Sequence, residues 1–205
     1  AARTAFAKNI KTVLEKNKLD GIDLDFEWAE NEKEYKDYSL AILKMREVLG
    51  DKYLFSVSLH PVCYKISKEA IEAVDFISLQ CYGPSPVRFP IEKYCSDIQM
   101  VLEYGIPREK LVAGVPFYGV TKDNSKKTEA YFNFVQNGLV TSPAQNEVIY
   151  QGDTYVFDGQ DNIRIKTRYA KEQKLKGMMS WDLATDLPLS DSRSLLKTMT
   201  EELRE

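Results

Sequence analysis

Apolar and polar positions alternate between two periods along this chain. Residues 3–17 carry the helical period, and an alternation of two follows over Gly21–Trp28. Residues 32–49 return to the helical period and end at Gly50, which suits a helix C-cap. Tyr53–Leu59 then reads as a strand followed by Pro61, and 67–73 as a short helix. Asp75–Tyr82 reads as a strand closed by Gly83-Pro84-Ser85-Pro86, and 91–104 as a helix ending at Gly105. Leu111–Phe117 has the continuous apolar character of a buried strand. A helix is expected near 128–137, a hairpin over Glu147–Phe157 with Gln151-Gly152-Asp153 as its turn, and a helix over 161–174. Gly177–Trp181 is the last strand and 191–204 the last helix; Thr121–Lys127 is the most loop-like stretch.

This order predicts an α/β fold with parallel strands at 21–28, 53–59, 75–82, 111–117 and 177–181. One strand decides between an open and a closed sheet. In Asp20-Gly21-Ile22-Asp23-Leu24-Asp25-Phe26-Glu27, a regular strand sends Ile22, Leu24, Phe26 and Trp28 to one face. Asp23, Asp25 and Glu27 go to the other. Carboxylates two residues apart lie roughly 7 Å from each other. At an effective dielectric of about 20, each charged pair repels by roughly 2 kcal/mol. An open sheet covered on both faces would press these acids under helices, whereas a barrel interior gives them a polar pocket. A calcium loop is excluded, because the sixth residue from Asp20 is Asp25 and the twelfth is Asn31.

Composition narrows the picture. The 205 residues are 43% hydrophobic and 29% charged, with a net charge of -3. They suit one soluble domain and offer no basic stripe for nucleic acid. No apolar run is long enough to span a membrane. Cys63, Cys81 and Cys95 lack the spacing of a zinc site or a disulfide framework and read as plain thiols. His60 is the only histidine and, followed by proline, reads as structural.

The acidic strand resembles the D-G-x-D-x-D-x-E signature of glycoside hydrolase family 18, the chitinases and their relatives. Phe76–Tyr82 is similar to the family strand ending in Met-x-Tyr-Asp. Leu-Val-Ala-Gly-Val-Pro-Phe-Tyr-Gly at 111–119 and Gly-Met-Met-Ser-Trp at 177–181 resemble later family strands. The resemblance implies a (β/α)8 TIM barrel of which this chain covers about strands 4–8 and lacks strands 1–3. It implies that 1–205 is a partial catalytic barrel, with a short insertion at 121–160 before the last barrel strand. It implies a retaining hydrolase of β-1,4-linked N-acetylglucosamine polymers that uses the sugar's own acetamido group as nucleophile. Glu27 is then the general acid/base, which asks for a carboxyl that keeps its proton at working pH. Asp25 holds the acetamido group, Asp23 shares a proton with Asp25, and Tyr82 supports the acetamido carbonyl.

By the same resemblance, Trp181 floors the pocket, Gln80 and Tyr118 line it, and Asp20 and Gly21 support the turn. No metal or cofactor is implied, and a monomer acting on an N-acetylglucosamine-containing glycan is expected. A polymeric substrate implies a secreted, periplasmic or cell-surface location. Gln80 replaces the family methionine, Gly83 the aspartate after Tyr82, and Val120 a frequent arginine. These departures leave room for an endo-β-N-acetylglucosaminidase of N-glycans, a peptidoglycan-directed relative, or a sugar-binding protein without turnover. A shallow cleft is expected, because the interval between Gly119 and the last helix is short.

Overall fold

A computed structural model describes residues 1–83, 89–123 and 127–205. In chain order, α1 (Ala2–Asn17) leads into β1 (Gly21–Asp25), α2 (Glu32–Leu49), β2 (Leu54–Leu59), α3 (Lys68–Ala73), β3 (Phe76–Leu79), α4 (Ile91–Tyr104) and β4 (Leu111–Pro116). A second group follows: β5 (Tyr118–Thr121), β6 (Thr128–Ala130), α5 (Tyr131–Gln136), β7 (Glu147–Tyr150) and β8 (Asp153–Val156). The chain then returns through α6 (Gln160–Glu172) to β9 (Gly177–Trp181) and ends in α7 (Leu195–Arg204).

Strands β1, β2, β3, β4 and β9 form one parallel sheet in that spatial order. Each new strand joins the same advancing edge. A doubly wound sheet reverses direction at a switch point, and this one does not. The architecture is therefore TIM-barrel-like α/β. Phe55, Val57 and Leu59 of β2, Ile77 and Leu79 of β3, and Leu111, Ala113 and Val115 of β4 are fully buried. They share one core with Ile42, Met45 and Leu49 of α2 and Ile98 and Val101 of α4. At the entry to β1, a Cβ on Gly21 would stand 2.2 Å from the Leu54 carbonyl oxygen, so only glycine lets β1 lie this close to β2.

Three elements differ from the sequence pattern. β1 ends at Asp25, so Asp23 and Asp25 lie on the strand while Glu27 follows it in irregular backbone. The peptide bonds Glu27–Trp28 and Trp181–Asp182 are cis. Trp28 lies beyond the end of β1, and its ring meets the His60 ring edge-on at 4.1 Å. β3 ends at Leu79, which leaves Gln80 and Tyr82 beyond it. The interval after β4 is more than a loop and a hairpin, for β6, β5, β8 and β7 build an antiparallel sheet of their own. Residues 128–130 pair with β5, so the helix expected near 128–137 begins at Tyr131. The hairpin at 147–156 forms, with Gln151 (φ 51°) and Gly152 (φ 87°) both left-handed as a two-residue turn requires. The turn expected at Gly83–Pro86 lies beyond Gly83 outside the described residues.

The second sheet is tied to the main one through Asp158. Lys166 of α6 donates to this fully buried carboxylate at 2.5 Å, and Asn162 donates to its other oxygen at 3.1 Å. Burial pushes the Asp158 carboxyl up and the lysine pulls it back. Removing one member of such a pair strands a charge in the core. Lys166→Met is therefore expected to cost about 3–5 kcal/mol in urea unfolding. Loss of less than about 1 kcal/mol would show that the pair is dispensable.

Candidate active site

The parallel register of β1 on β2 sets Asp23 beside Ser56 and Asp25 beside Ser58. Residues paired in register point to the same face. Ser56 Oγ donates to one Asp23 oxygen at 2.6 Å and Ser58 Oγ to the other at 2.7 Å. Both lobes of the Asp23 carboxylate thus accept a hydroxyl from the neighbouring strand.

Asp25 is held from the other side. The Gln80 side-chain amide donates to Asp25 Oδ1 at 3.3 Å, and the Tyr82 hydroxyl donates to the Gln80 carbonyl oxygen at 3.1 Å. Gln80 thereby links the aspartate to the tyrosine. Tyr82 also lies 3.8 Å from Met179 Sδ and meets the Tyr118 ring edge-on, 6.3 Å between centroids. A Cβ on Gly114 would come within 3.0 Å of Tyr82 Cε1, so the glycine makes room for this ring. Burial holds the Tyr82 phenol far above its ordinary value, and the charges of Asp25 and Glu27 add to this. It is a neutral hydroxyl at any working pH.

Glu27 is exposed, and its Oε1 lies 2.9 Å from His60 Nε2. His60 itself is buried. Burial pushes its imidazole below the ordinary value, while the carboxylates of Glu27 and Asp25 and the nearby Gly83 backbone push back up. Asp25, Glu27 and His60 each bring one potential ligand atom within 4.8 Å of the others. Such a spacing would admit an ion. The hydrogen bonds to His60 and Gln80 account for it without one, and no metal role is assigned.

The structure thus brings together Asp23, Asp25, Glu27, Gln80 and Tyr82, with Tyr118 alongside. Trp181 ends β9 and is 57% exposed, its carbonyl accepting from the Phe117 N–H at 2.8 Å. Asp20 acts through its backbone, its carbonyl accepting the Leu54 N–H at 3.0 Å. Sequence reading missed Ser56, Ser58 and His60. His60, read as a structural residue, contacts the glutamate directly. The signal was available: Ser56, Ser58 and His60 alternate with Val57 and Leu59, the same period that marked the acids.

Asp25, Glu27, His60, Gln80, Tyr82 and Trp181 stand at or beyond the C-terminal ends of parallel strands, where barrel enzymes place their chemistry. The model of the glycosyl hydrolases family 18 matches residues 1–186. The chain belongs to glycosyl hydrolase family 18. It is 23% identical over 248 residues to "Probable chitinase 2" of Drosophila melanogaster, covering 90% of this chain and 51% of that protein. Its fold matches a family 18 chitinase from the chitin utilization locus of Flavobacterium johnsoniae with a TM-score of 0.80 and 27% identity, over 97% of this chain and 65% of that one. It also matches a chitinase-like agglutinin from Robinia pseudoacacia with a TM-score of 0.82 and 18% identity, over 98% and 73%. The chain spans about half the length of the first of these relatives.

Within this family 18 site, Asp25 carries the electrostatic load. Burial is the largest influence raising its carboxyl above 3.8; Glu27 and Asp23 add to it, while His60 and Gln80 oppose it. The folded protein therefore holds this proton to a higher pH than the unfolded chain does. That contribution to stability is complete below the unfolded value and is lost as pH rises through the folded one. Asp25→Asn is expected to raise the melting temperature at pH 7, by an amount worth less than about 1 kcal/mol because Asp25 is exposed. The gain should vanish as pH approaches 4. A gain that grew on acidification would contradict the assignment.

Proposed function

We propose that this chain is part of a retaining glycoside hydrolase acting on β-1,4-linked N-acetylglucosamine polymers. The observation that carries the reading is the joining of Asp25 to Tyr82 through Gln80, beside an exposed Glu27. Family membership supports it, as do relatives named as chitinases. In this reading the acetamido oxygen of the substrate attacks its own anomeric carbon, and Glu27 gives its proton to the departing glycosidic oxygen. Asp25 holds the acetamido N–H, and the Tyr82 hydroxyl turns to the carbonyl as charge develops there. Water then adds at the anomeric carbon, Glu27 takes its proton, and the acetamido group is restored. Trp181 offers a flat apolar face to the sugar.

The partial-barrel reading belongs here as well. β1 and β9 are the outer strands of the sheet among the described residues, and relatives extend well beyond the matched region. Three further βα units between these edges would close a barrel of eight. The second sheet is an insertion between the last two barrel strands. No described helix is long and apolar enough to cross a membrane. A polymeric glycan places the action at the cell surface, in the periplasm or outside the cell, and nothing in the site requires a second copy of the chain.

The fold shared with a chitinase-like agglutinin favours one second reading, sugar binding without turnover. Gly83, where the resemblance expects aspartate, bears on the choice between chitin and an N-glycan core. Release of the aryl group from an aryl chitobioside by the full protein supports the hydrolase, whereas binding without release supports the lectin. Glu27→Gln is expected to lower kcat by at least about 10³-fold with KM nearly unchanged; a rate near that of the unaltered protein would refute the role of Glu27. A thiazoline analogue of N-acetylglucosamine should inhibit competitively, because it mimics the cyclised acetamido group. Absence of binding would count against acetamido participation.

A further inference from the structure

The reaction outlined above gives His60 no part, yet His60 is the group in direct contact with Glu27. Its side chain is 5% exposed, and Nε2 stands 2.9 Å from Glu27 Oε1. The residue is anchored through its backbone and its ring is packed. Its backbone N–H donates to the Cys63 carbonyl and its carbonyl accepts the Cys63 N–H, at 3.2 and 2.8 Å. The Trp28 ring packs edge-on against it. A Cβ on Gly83 would lie 3.5 Å from its Cε1 and 3.6 Å from its Nδ1.

The proton on the ring is assigned from hydrogen bonding. Nδ1 is buried and has no hydrogen-bonding partner at regular geometry, although the Gly83 backbone lies near it. A proton on Nδ1 would leave a buried N–H unsatisfied, which folded proteins avoid more strictly than an unsatisfied lone pair. A proton on Nε2 leaves only a lone pair at Nδ1 and aims the N–H at Glu27.

We propose that His60 is a positioning residue for Glu27: its Nε2–H donates to Oε1 and fixes the carboxyl at the mouth of the site. The inference rests on the reading of Glu27 as general acid/base and deepens it. The two half-reactions need opposite forms of Glu27. Leaving-group departure consumes the acid, and water attack consumes the carboxylate. Asp25, one alternation before Glu27 on the same chain, brings a second carboxyl to the group, and His60 meets Glu27 from the end of the neighbouring strand. Asp23 also faces this group but is held by Ser56 and Ser58; Gln80, Tyr82 and Tyr118 face it from the far side as neutral groups.

The test is a pH profile of kcat/KM on the full protein carrying this chain, for the unaltered protein, His60→Ala and His60→Gln. Loss of the donor in His60→Ala should move the alkaline limb up by about one pH unit, since the acid then persists to higher pH. It should lower kcat by roughly tenfold with little change in KM. His60→Gln, whose amide can donate from a similar position, should return the limb toward its original place. In the unaltered protein, two-bond 1H–15N NMR of the signal lost in His60→Gln should report an Nε2–H tautomer. This readout stands even where His60→Ala folds poorly. An unmoved limb in a folded His60→Ala, a limb moved downward, or an Nδ1–H tautomer would each overturn the proposal. Failure of the underlying reading is distinguishable, because a Glu27→Gln variant with full rate removes the acid itself whatever His60 does.

Discussion

The register of β1 against β2 is the constraint on which the site depends. Asp23 opposite Ser56 and Asp25 opposite Ser58 place two hydroxyl donors under one carboxylate. A slip of one residue would present Phe55 and Val57 to the acids and turn the serines into the core. Phe55, Val57 and Leu59 are buried beneath helices, so that slip would also expose the centre of the core. The apolar face of β2 thus enforces the polar face. The contact at Gly21 tightens the same register, since the strand can approach Leu54 this closely only at a residue without a side chain.

Three neighbouring segments repeat one rule. Asp23 and Asp25, Ser56, Ser58 and His60, and Ser78, Gln80 and Tyr82 all occupy alternate positions, with core residues between them. Their carboxylates come from one strand and most of their donors from the next two. A sheet of like design with carboxylates on adjacent strands would oppose charge to charge. Here each aspartate instead meets a neutral donor, which satisfies its oxygens without cancelling its charge. The charge that remains on Asp25 is the part of the site that chemistry can use, and it is held at some expense to stability.

The order of helices and strands was legible because burial on both faces of a parallel sheet and one face of each covering helix imposes different periods. The acids were legible because three carboxylates at alternate positions have no folding rationale. The end of β1 was not. Phe26 and Trp28 continue the alternation on paper, but the chain leaves the sheet after Asp25, and no local preference marks the departure. β5 and β6 escaped for another reason: strands of four and three residues carry too little pattern, and β5 pairs on its other side with the hairpin that follows. The contact of His60 with Glu27 was not legible because the two are 33 residues apart. A lone histidine has no periodic companion of its own kind. Only its alternation with Ser56 and Ser58 placed it on the site's face, and that clue has meaning once β2 is known to lie beside β1.

Gly83 and His60 are best understood together. The resemblance expects an aspartate where this chain has Gly83, and a side chain there would start in contact with the imidazole. A Cβ fits at 3.5 Å, but a carboxylate carried on it would lie beside the ring and favour the imidazolium. A charged His60 would then form an ion pair with Glu27 and bind its carboxylate far more firmly than a neutral N–H does. In the proposed reaction, the acid needed for leaving-group departure would then be lost. Burial of the ring acts in the opposite direction and pushes the imidazole below its ordinary value. A glycine at 83 thus leaves no carboxylate beside the imidazole that meets Glu27.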